Sequence, residues 1–144
     1  MTDTSGLQAR THQPALVLAG TLALAAVASI VLNTGIALLA GLVLPDGGVR
    51  MGLQPIEYAP LTVAGILLGT LGWYVIRRTA RKPRAVLRVL VPLAVLLSFG
   101  PDLGILAAGA SFVNSLALMA MHVIVAVITV PVLARVLPLP ADPA

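Results

Sequence analysis

The chain has 144 residues, of which 59% are hydrophobic and 10% are charged, and its mean hydropathy is +1.05. A soluble domain carries about 25% charged residues, so this composition excludes an ordinary water-exposed surface and predicts one all-α integral membrane domain. The absence of cysteine excludes disulfides, thiolate metal sites, iron–sulfur clusters and redox-active cysteine pairs.

The first predicted helix covers residues 14–44 and follows a predicted cytoplasmic tail, residues 1–13. No charged residue occurs in residues 15–44, and about 20 apolar residues are enough to cross a hydrocarbon core of ~30 Å. The alternative is a cleaved signal peptide. It is disfavoured because the apolar region of such a peptide spans only about 7–15 residues.

The second predicted helix covers residues 60–77. It follows a turn, Pro-Asp-Gly-Gly, at residues 45–48. Pro60 is placed in the first turn of the helix, where its missing N–H leaves no bond unmade. Trp73 and Tyr74 near the end of the helix are expected at the membrane interface, with their polar tips outward.

The third and fourth predicted helices cover residues 85–109 and 114–137, and residues 138–144 form a second cytoplasmic tail. In the third helix, Pro101 has no N–H to donate to the carbonyl of Leu97, so we predict a kink or break at that point. Pro131 predicts a milder kink in the fourth helix.

The formal net charge of +4, taken alone, would fit a nucleic-acid-binding protein. Six of the nine basic residues, however, fall within residues 77–88, between two apolar segments. Such a loop sets the orientation of a membrane protein, so we expect no nucleic-acid partner and expect contact with anionic lipid headgroups. The residues of this basic loop are Arg77, Arg78, Arg81, Lys82, Arg84 and Arg88.

The charge distribution also predicts the topology. With the basic loop and both termini in the cytoplasm, Arg50 is the only basic residue outside. The expected protein is an antiparallel, up-down four-helix bundle of the plasma membrane, N-in and C-in.

The sequence contains two GxxxG pairs, Gly65 with Gly69 and Gly100 with Gly104. Such pairs favour close packing within the bundle or, alternatively, a homodimer or contact with a partner subunit.

Six polar residues are predicted to gather in the outer half of the bundle as a candidate ligand-binding pocket. A charged side chain at the bilayer centre costs at least about 2.5–3.5 kcal/mol, so such groups face the bundle interior or water. The rise of a helix places Asp102 and His122 at similar depths, close enough to pair. The six residues are Asn33, Glu57, Tyr58, Ser98, Asp102 and His122.

Three of these residues also have a purely structural interpretation. Asp102 can complement a helix dipole after Gly100 and Pro101. His122 can act as a neutral interhelical hydrogen-bond donor, and Asn33 can join two helices. His122 is the only histidine outside the N-terminal tail, and we expect no metal site, no cofactor and no catalytic residue.

Short motifs give the chain a resemblance to a protein family. They are Asn33 in the first helix, Leu-Ser-Phe-Gly-Pro-Asp at residues 97–102, and Met121-His122 followed by Pro131 and Arg135. On these motifs the chain resembles an uncharacterised family of small actinobacterial four-helix membrane proteins over nearly its whole length. The resemblance implies a four-helix membrane fold and supplies no activity. Small multidrug-resistance transporters fit poorly because they need an acidic residue in the first helix.

The sequence leaves three functions open. The first is a non-enzymatic membrane protein that binds a lipid-like or small apolar ligand, or serves as an accessory subunit. The second is a proton-linked transporter that uses Asp102 and His122, and it requires both residues to face one water-accessible cavity. The third is a membrane enzyme acting on a lipid or isoprenoid, with the same pair as acid and base. The small number of polar groups favours the first.

Overall fold

A computed structural model describes residues 5–44 and 50–140 of the chain. Within those ranges all regular secondary structure is helical, which confirms the all-α prediction. The helices are α1 (Ser5–Val43), α2 (Pro55–Thr79), α3 (Pro83–Ala107) and α4 (Phe112–Val136). The predicted turn at residues 45–48 and the ends of the predicted tails, residues 1–4 and 141–144, lie outside the described residues.

Each of these helices is long and apolar enough to cross a membrane, with the span of α1 running over Ala15–Val43. Pro55 is the first residue of α2 and Pro83 is the first residue of α3. Backbone N–H groups of the first helical turn have no acceptor within the helix, so proline loses no hydrogen bond there. Pro60 instead lies inside α2, so the second helix begins earlier than the sequence predicted. Likewise, α1 begins at Ser5, and the predicted tail is helical from that residue onward.

Helix α3 is continuous through Gly100 and Pro101, so the predicted break is absent. Pro101 removes one backbone hydrogen bond, the one to the carbonyl of Leu97. A break would leave several backbone groups without partners in apolar surroundings. The loss of one hydrogen bond costs less than a break in the helix. Helix α3 therefore continues through Pro101 and carries Asp102 without interruption. Helix α4 is likewise continuous through Pro131.

Packing places α4 at the centre of the described helices. It contacts α1, α2 and α3, whereas α1 and α3 do not touch each other within residues 5–44 and 50–140. Helix α4 also buries a larger share of its apolar span than any other described helix. Helix α2 also contacts the other three helices, so a site that joins α1 to α3 has to include α4 or α2.

Two apolar clusters fill the described part of the bundle. The Leu118 cluster joins the end of α1 to the first turns of α2 and α4, and its buried members are Ala40, Leu44, Leu53, Tyr58, Ala117, Leu118 and Met121. The Trp73 cluster joins the end of α2 to the first turns of α3 and the end of α4, and its buried members are Trp73, Leu87 and Leu133. Each cluster therefore holds together one end of the bundle.

The GxxxG glycines do not pack this bundle, contrary to the favoured prediction. Within the described chain, no other helix comes within 4 Å of the place that a Cβ would take on Gly65, Gly69, Gly100 or Gly104. Small polar residues occupy the interior instead, and Ser29, Asn33 and Ser115 are almost completely buried. The glycine faces are thus open to lipid or to another protein.

The loop before α2 is tied to α4 by one buried side chain, Asn114. Its Oδ1 accepts a hydrogen bond from the backbone N–H of Met51 at 3.2 Å, and its Nδ2 donates to the Met51 carbonyl at 2.9 Å. The Ser111 hydroxyl accepts from the backbone N–H of Asn114 at 3.1 Å and so caps α4. The loop position therefore depends on a side chain that the sequence analysis did not single out.

Asn114→Ala is expected to lower the free energy of unfolding by about 2 kcal/mol, because it removes two hydrogen bonds to the Met51 backbone, each worth about 0.5–1.5 kcal/mol. The freed loop should also become a protease target, measured as the rate of thermolysin cleavage beside Met51 in detergent micelles. Ser111→Ala is the control, since it removes the cap of α4 and keeps both Met51 bonds. Equal cleavage rates in the two variants would contradict the role of Asn114.

Candidate functional site

The structure brings Asp102 of α3 and His122 of α4 together. The Nδ1 atom of His122 lies 3.2 Å from Oδ2 of Asp102. The side chain of Asp102 is only 5% exposed, whereas that of His122 is 40% exposed. The pair is therefore asymmetric, with a buried carboxylate beneath an imidazole that reaches the surface of the bundle.

Backbone contacts fix the orientation of the His122 ring. Nδ1 also lies 2.9 Å from the carbonyl oxygen of Leu118, one turn earlier in α4. A carbonyl oxygen can only accept, so this hydrogen bond requires the hydrogen on Nδ1. The ring of Phe99 meets the imidazole edge-on, with ring centroids 6.4 Å apart. These contacts leave Nε2 as the ring nitrogen that is available to a ligand.

Two other predicted site residues join α1 to α2. Asn33 donates from Nδ2 to the hydroxyl of Thr62 at 3.2 Å. The Thr34 hydroxyl donates to the carbonyl of Ile30 at 2.8 Å, so the Tyr58 hydroxyl, 2.7 Å away, donates to Thr34. Asn33 and Tyr58 are both buried, and these bonds make them interhelical connections between α1 and α2.

The remaining predicted residues form local hydrogen bonds. The Glu57 carboxylate accepts from the backbone N–H of Gln54 at 3.0 Å and stabilises the start of α2, where a negative charge also meets the positive end of the helix dipole. The Ser98 hydroxyl donates to the carbonyl of Val95 in its own helix at 2.7 Å. Neither residue is hydrogen-bonded to the Asp102–His122 pair.

The six predicted residues therefore separate into groups. Asn33 and Tyr58 form hydrogen bonds between α1 and α2, whereas Asp102 and His122 pair between α3 and α4. Tyr58 also packs in the Leu118 cluster, and the Leu118 carbonyl contacts His122. Sequence reasoning missed Thr62, which forms a buried hydrogen bond with Asn33, and Asn114, which bonds to the Met51 backbone. The spacing of Thr62 one turn after Tyr58 was a usable signal, because residues four apart share a helix face.

Several buried polar atoms of the bundle interior lack a partner in the described chain. They are Ser29 Oγ, Asn33 Oδ1, Asp102 Oδ2, Ser115 Oγ and Thr129 Oγ1. Asp102 Oδ2 lies 3.2 Å from His122 Nδ1 but forms no hydrogen bond within residues 5–44 and 50–140. By contrast, the hydroxyls of Thr34 and Thr70 each donate to the carbonyl four residues earlier, the usual arrangement for a hydroxyl in an apolar helix. The bundle interior therefore contains polar oxygens without partners, although 59% of the residues of the chain are hydrophobic.

The basic loop and its aromatic neighbours lie at the Trp73 end of the bundle. Tyr74 is exposed as predicted, and the guanidinium carbon of Arg78 sits 4.9 Å from the centre of its ring. Trp73 is different, because it is buried and its indole N–H donates to the carbonyl of Leu137 at 2.9 Å. The prediction that its polar tip points outward is therefore wrong.

Helices are the only regular secondary structure of residues 5–44 and 50–140, and four of them are long and apolar enough to cross a membrane. With an acid–imidazole pair among them, these helices define a small multi-pass membrane protein. The chain belongs to a family of unknown function, DUF6069, whose family model matches residues 8–138. This confirms the predicted membership of an uncharacterised family. No curated protein and no solved structure matches the chain. The family match supplies no activity.

Proposed function

We propose that the chain is a non-enzymatic plasma-membrane protein that binds a lipid-like ligand at the Asp102–His122 pair. The observation that carries this proposal is the asymmetry of the pair. A buried carboxylate 3.2 Å from Nδ1 orients an imidazole whose side chain is 40% exposed. An ionisable residue inside membrane helices is costly to place there and is typically functional.

The surroundings of the pair support an apolar ligand with one polar group. Leu103 and Val123, the neighbours of the pair along α3 and α4, are both exposed, so the ligand body would meet an apolar surface. With the hydrogen on Nδ1, the free Nε2 of neutral His122 accepts a hydrogen bond. A lipid-like alcohol, whose hydroxyl donates to Nε2, fits this chemistry.

The proposed bundle is antiparallel, with N-in and C-in orientation, and places the pair in its outer half. Two observations support this arrangement. The Leu118 cluster joins the last turns of α1 to the first turns of α2 and α4, and the basic loop lies with the Trp73 cluster at the other end. The positive-inside rule places that basic end in the cytoplasm. The open GxxxG faces support a second copy or a partner subunit in the same membrane.

A proton-linked transporter is the second candidate. It is favoured by the same 3.2 Å separation, because a carboxylate and an imidazole this close can exchange a proton. That function further requires water to reach the pair from both sides of the membrane. Proton flux into liposomes, followed with a pH-sensitive dye, tests it directly.

The binding proposal is tested with a photoactivatable long-chain alcohol on the full chain in liposomes. His122→Ala is expected to reduce labelling of α3 and α4 about tenfold, the scale of one hydrogen bond of ~1.4 kcal/mol. Val127→Ala is the matched control, since Val127 is an exposed residue of the same helix. Unchanged labelling in both His122→Ala and Asp102→Asn would refute the binding site. Unchanged labelling with lost proton flux would favour the transporter.

A further inference from the structure

A groove of about 450 Å³ opens between α2, α3 and α4 at the Trp73 end of the bundle. Its walls are apolar and include Trp73, Leu87, Val91 and Val130. This volume is within the range of about 300–1,000 Å³ that small-ligand sites occupy. The groove lies among the residues of the Trp73 cluster, whereas His122 bonds to Leu118 of the other cluster. It is therefore independent of the Asp102–His122 site.

The polar part of this groove is cationic. Arg84 and Arg88 both line it, and a spacing of four residues places them on one face of α3. Both are exposed, and neither forms an ion pair with a carboxylate in residues 50–140. Guanidinium groups bind phosphate through paired, charge-assisted hydrogen bonds. The two arginines thus present a phosphate-binding surface at the edge of an apolar groove.

The first turn of α3 adds to the positive potential at this edge. It contains no acidic residue, and the N-cap Lys82 makes no side-chain capping bond. The N-terminal end of a helix dipole is itself positive, so Arg84 lies in a place where a cation is unfavourable unless an anion is near. This local charge imbalance supports an anionic occupant.

The apolar part of the groove suits an acyl chain. The indole N–H of Trp73 is already used by the carbonyl of Leu137 at 2.9 Å. Trp73 is only 5% exposed, and the part of its ring that lines the groove is apolar. Leu87 and Val91 continue that surface along α3. A ligand that fills the groove therefore needs a negative group at one end and a hydrocarbon chain beyond it.

We propose that this groove is a binding site for one anionic phospholipid of the surrounding membrane. The phosphate is bonded by Arg84 and Arg88, and an acyl chain lies against Leu87, Val91 and Trp73. The basic loop then has two parts. Arg78, which lies over the ring of Tyr74, serves orientation through its charge alone, whereas Arg84 and Arg88 bind a particular lipid.

The single tryptophan of the chain lines the groove, so its fluorescence reports on the occupant. The full chain is reconstituted in phosphatidylcholine vesicles containing phosphatidylglycerol, with bromine atoms on the acyl chains of only one of the two lipids. Brominated phosphatidylglycerol is expected to quench Trp73 at about a fivefold lower mole fraction than brominated phosphatidylcholine, the scale of one basic side chain near an anionic lipid.

Arg84→Gln combined with Arg88→Gln should abolish this preference, whereas Arg77→Gln combined with Arg78→Gln removes the same charge and should keep it. Arg84→Lys with Arg88→Lys should retain part of it, because lysine binds phosphate as a point charge, and this variant guards against a mere folding defect. Equal loss in both glutamine pairs would assign the effect to diffuse charge and overturn the proposal. Equal quenching by both lipids, with a fluorescence change on adding inorganic phosphate, would overturn it in favour of a soluble anion.

Discussion

His122→Ala is expected to lower the free energy of unfolding by about 2 kcal/mol or more, because it leaves the buried Asp102 carboxylate without the imidazole that lies 3.2 Å from its Oδ2. Asp102 is 3% exposed, so water does not readily replace the lost group. The measurement is unfolding of the purified protein in mixed micelles with increasing sodium dodecyl sulfate, followed by helix content. Val123→Ala, at the exposed neighbouring position, is the control and should change little.

Replacing both members of the pair gives the sharper result. Asp102→Leu combined with His122→Leu should recover most of the stability lost in His122→Ala, because apolar residues of similar volume often replace a buried ion pair without loss. The same double variant should still lose ligand labelling. A double variant that is as unstable as His122→Ala would mean that the pair holds the bundle together.

A double leucine variant that is stable but no longer labelled by the ligand would show that binding, and not folding, requires the pair. Asp102 and His122 would then be present for binding, since their removal leaves the bundle intact. The α1–α2 hydrogen bonds of Asn33 and Tyr58 are expected to behave in the opposite way. They connect buried groups to each other, and their loss affects stability alone.

The proximity of Asp102 and His122 could be predicted from the sequence. Helical rise fixes how far a residue lies from the end of its helix, and a short connection fixes the relative position of two helices. Both quantities can be read from residue positions alone. The structure accordingly places the two side chains 3.2 Å apart.

The packing faces could not be predicted in the same way. Glycine permits close approach of two helices, but it does not specify which helix approaches. Gly65 and Gly100 are open in the described chain, whereas the side chain of Asn33 reaches Thr62. A polar side chain selects a partner through its hydrogen bond, so the buried polar residues were the better guide to the interior.

Contacts that depend on the path of a loop also could not be predicted from the sequence. Asn114 binds the backbone of Met51, and no side-chain pattern marks a backbone as a partner. Trp73 was misplaced for a similar reason, because its N–H bonds to the carbonyl of Leu137 after the end of α4. Both cases join distant parts of the chain through main-chain atoms.

The Asp102–His122 site and the arginine groove lie toward opposite ends of the bundle. His122 contacts the carbonyl of Leu118 in the Leu118 cluster, whereas the arginine groove contains residues of the Trp73 cluster. A lipid held at the basic end would fix α3 against α2 and α4, the helices that form that groove. Helix α3 also carries Asp102, so occupation of one site is expected to rigidify the helix that serves the other.

Single cysteines at Met51 and Thr79 are expected to react on opposite sides of the membrane. The positive-inside rule places Thr79, which borders the basic loop, in the cytoplasm, and one crossing by α2 then places Met51 outside. Both side chains are exposed, so access of the reagent is not limited by burial. A membrane-impermeant maleimide applied to intact cells should label Met51→Cys fully and Thr79→Cys only after permeabilisation.

The natural chain contains no cysteine, so each variant has one reactive group and the unmodified protein gives the background. Leu67→Cys is the control for burial in lipid, because Leu67 is an exposed residue in the middle of α2 and hydrocarbon excludes the charged reagent. Labelling of Met51→Cys and Thr79→Cys from the same side would contradict a crossing by α2. Labelling of Thr79→Cys alone in intact cells would invert the orientation. The arginine groove would then face the outer leaflet, and the Asp102–His122 pair would lie in the cytoplasmic half.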